Sequence, residues 1–255
     1  MKWLLEHFLP EDLLVKEAAE KLGLEVEVNT LPTTEAARYE NYGLLHASIG
    51  VTKQVQNHVF HLTPWKSLRF QDYAGYWHKF LFNQEYIMLP AGTLMERWGW
   101  DREGVLVDRD LFLRPDTNDK LFNGGVYCYE DFERLFNGYQ VQPSTLVVAA
   151  PAYKIRHEWR CFMHQGRLLD VCCYRRDGKR HIEAGVEETV KEFAESVPMY
   201  PGLPPVYVLD VCDGGDGYRI LETGSVNVAG LYACDPVKIL PALVLETTKL
   251  YEETL

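Results

Sequence analysis

Apolar residues along this chain fall into two spacings. In the first third, short runs of strand length alternate with stretches in which hydrophobic positions recur at helical intervals. Residues 2–7 and 24–28 read as strands on either side of a helix with apolar positions at Leu13, Leu14, Ala18, Ala19 and Leu22. Gly23 stands where a helix terminator belongs. Leu44–Ser48 reads as a third strand, followed by Gly50 and another helix, so a small α/β lobe is expected up to about residue 90. Met88-Leu-Pro90 marks the boundary. Residues 91–98 then predict a helix, 111–115 a strand, 129–136 a helix and 145–150 an apolar strand. Beyond this the period becomes two: 155–163, 167–174, 207–212 and 218–222 predict strands, with a helix at 185–196 among them. A final helix should start with Asp235 as N-cap and Pro236 as its first residue. Three units are expected: 1–90, 91–150 and 151–255.

Composition narrows the class. With 47% hydrophobic and 25% charged residues, the 255-residue chain has the make-up of an ordinary globular protein. A net charge of -11 argues against a general grip on nucleic acid, and any polyanionic ligand needs a positive pocket of its own. The six cysteines show no Cys-x-x-Cys spacing, and most fall in or beside apolar runs, where a thiol packs as a small hydrophobe. The opening residues carry charge too early for a signal peptide, and no apolar run reaches the roughly 20 residues of a membrane span. A reduced, cytoplasmic setting without membrane partners is expected.

Three stretches carry chemistry. The first is Asp210-Val-Cys-Asp-Gly-Gly-Asp-Gly-Tyr-Arg-Ile-Leu-Glu222, two strands around a glycine-rich turn. Alternation puts Val208, Asp210 and Cys212 on one face, and Tyr218, Ile220 and Glu222 on one face of the partner strand. Asp210 then lies opposite or diagonal to Glu222, an arrangement that is destabilising unless positive charge intervenes. The pair reads either as a solvated hairpin edge or as a metal site, and Asn227 would add an amide oxygen suited to magnesium. The second is Arg156-His-Glu158-Trp-Arg160-Cys-Phe-Met163, with Arg156, Glu158 and Arg160 on one face and His157, Trp159, Cys161 and Met163 on the other. This reads as a solvated stripe, or beside a phosphate as a phosphate grip. The third is the strand end Arg114-Pro115 with the loop through Lys120 to Gly125, whose amides and Lys120 could close over phosphates. It is not a Walker A motif, and no zinc set or Gly-x-Ser-x-Gly elbow occurs.

The order of these stretches resembles the ATP-grasp superfamily, most of all a bacterial and phage clade in which arginine replaces the usual lysine on the first ATP-contacting strand. The residues that carry the resemblance are Phe80–Pro90, the Arg114-Pro115 strand, the Lys120 glycine loop, the apolar strand ending Ala149-Ala-Pro151, Glu158-Trp-Arg160, Asp210, Glu222 and Asn227–Asp235. They span roughly 75–235. The resemblance implies an ATP-grasp fold of two α+β subdomains (91–150 and 151–255) behind a pre-ATP-grasp α/β lobe (1–90) that contributes to substrate binding. It implies Arg114 and Lys120 at the ATP phosphates, Val148 to Ala150 against adenine, and Glu158 beside the nucleotide. Arg160 would meet the γ-phosphate and the transferring group, and Asp210, Glu222 and Asn227 would hold magnesium between them. The activity implied is ATP-dependent ligation of a carboxylate to an amine or thiol, on a small-molecule or peptide substrate, through an acylphosphate. Two departures stand out: Glu222-Thr223-Gly224 where many relatives carry Glu-x-Asn, and Ala149-Ala150 where an acidic residue often holds the ribose. The alternative is a nucleotide-binding interaction protein that keeps the fold without turnover.

Overall fold

The computed structural model describes residues 2–7, 9–29, 42–53, 68–98, 110–138 and 141–253. The first lobe runs β1 (Lys2–Glu6), α1 (Asp12–Lys21), β2 (Val26–Asn29) and β3 (Tyr42–His46), a parallel sheet in the order β2-β1-β3. Gly23 does end α1, with a left-handed φ of +74° that suits glycine. The buried face of α1 differs from the expectation. Val15, Ala18 and Ala19 go inward with Asp12, while Leu13 and Leu14 are exposed. Asp12 takes an inward position because it has a partner there, His46, whose Nδ1 lies 2.7 Å from Asp12 Oδ1.

The middle of the chain gives α2 (Phe70–Trp77), a short 3₁₀ turn (His78–Phe80), β4 (Ile87–Pro90), α3 (Ala91–Arg97), β5 (Leu111–Pro115), β6 (Gly125–Tyr127), α4 (Tyr129–Asn137) and β7 (Leu146–Pro151). Four strands form an antiparallel sheet in the order β4-β7-β5-β6. Met88–Pro90 is thus the first strand of this sheet, pairing with β7. One face packs on α3 and α4 through Leu111, Leu113, Val147, Ala149, Leu94 and Phe132. Arg114 and Val148, partners in the register, belong to the opposite face beside α2.

The remainder builds β8 (His157–His164), β9 (Arg167–Arg176), β10 (Lys179–Ala184), α5 (Glu188–Ser196), β11 (Val206–Asp213), β12 (Tyr218–Ser225), a 3₁₀ turn (Val226–Val228) and α6 (Pro236–Glu252). Five strands run antiparallel in the order β10-β9-β8-β11-β12. Two-residue turns join β8 to β9 (Gln165, Gly166) and β9 to β10 (Asp177, Gly178), all four residues at positive φ, as the right-handed strand twist favours. Asp235 Oδ1 accepts the Val237 amide, so α6 begins as expected. The sheet is covered on both sides. Trp159, Cys161, Met163, Leu209 and Val211 face α2 and α5, while Phe162, Cys172, Val206 and Val208 face α6 and the first lobe. Among the described residues no helix is long and apolar enough to cross a membrane.

On α6, Glu246 Oε1 is held by His164 Nε2 at 2.8 Å and Lys249 Nζ at 2.9 Å, clamping the helix to β8. Burial pushes this carboxyl up, but the two partners outweigh it and hold Glu246 below the usual glutamate range. A depressed acid stabilises the fold fully above its unfolded value and loses that contribution as pH falls through the folded value. Glu246→Gln should therefore cost about 1–2 kcal/mol near pH 7. In thermal unfolding its deficit should shrink as the pH is lowered through the carboxylate range.

Candidate active site

One face of the large sheet carries both core and chemistry. Toward one end of β8 and β11 it presents Phe162, Val206 and Val208 to α6; toward the other it presents Arg160, Glu158 and Asp210. Arg160, Asp210 and Glu222 are direct neighbours across β8, β11 and β12. The Asp210–Glu222 pairing expected from the sequence is present. Its partner face needs correcting, however: Ile220 and Glu222 do not share a side. A bulge between Asp210 and Val211 in the register leaves Leu221 as an extra residue. Ile220 then joins the core beneath Val211, while Glu222 stays opposite Asp210.

Each carboxylate has its own cation. Arg160 chelates Asp210, with Nε to Oδ1 at 3.0 Å and Nη2 to Oδ2 at 2.8 Å. From the other sheet, Arg114 places Nη1 3.3 Å from Glu222 Oε2. The row is thus cation, anion, anion, cation. Asp210 is 2% exposed, whereas the Glu222 side chain is 46% exposed. Burial pushes the Asp210 carboxyl up, and the Arg160 guanidinium pulls against it. Removing Arg160 would leave a buried carboxylate without a counter-charge.

The two arginines are themselves fixed. Arg160 Nη1 donates to Gly230 O at 3.1 Å, and its guanidinium lies 4.9 Å from the Tyr232 ring centroid and 5.5 Å from that of Tyr174. Those rings stack on each other, and Tyr174 donates its hydroxyl to Glu158 Oε2 at 2.8 Å. Tyr232 sits at φ +54°, a strained conformation for a tyrosine. Three bonds to protein use three of the five guanidinium N–H groups of Arg160. Arg114 Nη2 donates to Asn118 Oδ1 at 2.9 Å and Nη1 lies 3.4 Å from Tyr73 OH. Asn118 Nδ2 in turn donates to Thr223 O at 2.6 Å.

Not every expected residue joins this row. Lys120 is exposed on the loop after β5, at φ +50°. Val148 and Ala150 lie buried on β7, with Val148 directly beside Arg114. Asn227 turns its Nδ2 to Leu44 O at 2.7 Å and Leu45 O at 3.3 Å, fastening the first lobe. In the first lobe, Glu6 Oε2 accepts the Ser48 amide at 2.6 Å. Among the described residues no group of three or more His, Cys, Asp or Glu side chains is placed to hold a metal. Asn118, Tyr73, Tyr174 and Tyr232 do not stand out in the sequence. Alternation with Cys172 could have put Tyr174 on the Arg160 face; nothing local points to the others.

Comparison with known proteins identifies the fold that these three sheets build. The family model "ATP-grasp domain, R2K clade family 3" matches residues 77–243. The chain belongs to this ATP-grasp family. No curated protein matches it. Among solved structures, D-cycloserine synthetase DcsG aligns with a TM-score of 0.62 at 16% identity, covering 97% of this chain and 100% of that one. D-alanine–D-alanine ligase from Bacillus anthracis aligns at 0.61 and 10% identity, covering 100% and 99%. The same ligase complexed with ATP aligns at 0.57 and 12%, again covering 100% and 99%. At such identities the likeness is one of fold, and this ATP-grasp chain has the fold expected from its sequence.

The ion pair at the centre of this charged row gives a direct test. Arg160→Met strands Asp210 in the interior and should destabilise by about 3–5 kcal/mol in urea unfolding. Arg160→Met combined with Asp210→Leu should recover most of that loss, because no buried charge remains unpaired.

Proposed function

We propose that the protein is an ATP-dependent ligase that joins a carboxylate to an amine or thiol through an acylphosphate, with Mg-ATP lying between its two antiparallel sheets. The observation that carries this reading is the charged row: two guanidinium groups and two carboxylates converge where the sheets meet. The site fits a magnesium-bound polyphosphate. Glu222 offers a half-exposed carboxylate of the kind magnesium takes, Asp210 beside it holds its oxygens on the Arg160 fork, and Arg114 and Arg160 flank the pair with permanent positive charge. The row is charge-balanced as it stands, so in a chain of net charge -11 bound magnesium would supply the excess positive charge that a polyanion needs.

In this reading Arg114 and Lys120 grip the phosphates, β7 from Val148 to Ala150 backs the adenine and Glu158 borders the nucleotide. Arg160 meets the γ-phosphoryl group. A carboxylate oxygen of the substrate attacks the γ-phosphorus and ADP leaves. The amine or thiol then attacks the acyl carbon, phosphate departs, and the attacking atom gives up its proton. Magnesium, when bound, neutralises phosphate charge. The protein's own part is positioning. Asp210 fixes the Arg160 fork in direction, so its two remaining N–H groups are aimed before phosphoryl transfer begins. Residues 1–90 act as the pre-ATP-grasp lobe that shares in acceptor binding, ahead of subdomains 91–150 and 151–255. The fold family and the solved ligases of the same fold support this assignment.

Calorimetry should show ATP binding that depends on magnesium in the wild type and is lost in Asp210→Asn/Glu222→Gln. ADP release should then require both a carboxylate and an amine or thiol partner. A folded wild type that binds no nucleotide would refute the ligase reading, and binding without turnover against any acceptor pair would favour a non-catalytic nucleotide-binding role.

A further inference from the structure

The metal motif lacks an asparagine two residues beyond Glu222, where the chain has Gly224. The structure shows what stands in that space. Residues 222 and 224 project from the same side of β12, and an ideal Cβ built on Gly224 would lie 3.4 Å from Asn118 Nδ2. Asn118 comes from the loop after β5, on the opposite sheet. Its carboxamide is oriented at both ends: Nδ2 donates to Thr223 O at 2.6 Å, and Oδ1 accepts from Arg114 Nη2 at 2.9 Å. The same guanidinium reaches Glu222 Oε2 through Nη1 at 3.3 Å. One cation therefore gathers an amide oxygen and a carboxylate oxygen from two different sheets. That pairing of oxygens is what a magnesium ion looks for.

We propose that Asn118 supplies, from across the cleft, the amide oxygen that β12 itself lacks at position 224. The inference rests on the Mg-ATP reading above. It gives Asn227 a different task, holding β3 through Leu44 O and Leu45 O. It also accounts for the glycine: any side chain at 224 starts against the Asn118 amide, so the amide from the other sheet and a residue on β12 compete for one place.

The test uses the full chain and calorimetric titration of ATP with magnesium and with EDTA. The wild type is measured first, and absence of nucleotide binding there speaks against the ligase reading and not against Asn118. With binding established, Asn118→Ala should lose roughly tenfold or more of the magnesium-dependent gain in ATP affinity. The EDTA titration reads separately any loss of metal-free affinity that comes from freeing Arg114 Nη2. Asn118→Asp, which keeps an oxygen but loses the donor to Thr223 O, should retain the magnesium dependence. Asn118→Ala/Gly224→Asn, which moves the amide onto β12, should regain it. The proposal is overturned if Asn118→Ala keeps the full magnesium gain. It is equally overturned if Asn118→Asp fails as badly as Asn118→Ala and the transplanted amide restores nothing, since Asn118 would then be only a strut between the sheets.

Discussion

Two negative charges directly opposite each other on paired strands govern the centre of this molecule. Asp210 and Glu222 could not share a register position on a bare sheet without cost. They do so because the fold brings a guanidinium to each from the outside, Arg160 from β8 and Arg114 from the opposing sheet. Arg160 sits deep and chelates, a geometry in which loss of one partner is expensive. Arg114 reaches across the cleft, so the approach of one sheet to the other is partly an electrostatic contact. The bulge at Leu221 makes this compatible with a sealed interior, since it lets Ile220 fill the core while Glu222 keeps its place opposite Asp210.

Much of this is legible in the order of residues alone. The period-two runs give β8, β9, β11 and β12 with the right faces for Arg160 and Asp210, and the cap at Asp235 gives the start of α6. What escapes has physical reasons. β10 has charged or polar residues on both faces and is mostly exposed, so it offers no alternation; the Asp177-Gly178 pair is its real signal. On α1 an aspartate takes an inward position that apolar counting would give to a leucine, because its partner His46 lies on β3, far along the chain. The bulge at Leu221 shifts a face by one residue and leaves no mark in composition. Asn118 is invisible as a site residue for a related reason: its neighbours Arg114, Thr223 and Gly224 become neighbours only when two sheets meet.

The likeness to solved ATP-grasp structures shows the same point from another side. Near-complete overlap at 10–16% identity means that the layout of sheets persists while most side chains change. A fold of this kind holds positions relative to each other, and chemistry can be redistributed among them.

The short peptide that follows the 3₁₀ turn ties two compartments together. His46 Nε2 lies 3.0 Å from Ala229 O, and Arg160 Nη1 donates to the very next carbonyl, Gly230 O. Successive carbonyls on one short stretch are thus gripped by the first lobe and by Arg160. The first lobe and Arg160 are anchored one residue apart on the same peptide. Any displacement of the first lobe relative to the sheet would therefore pull on the carbonyl next to the one that holds Arg160.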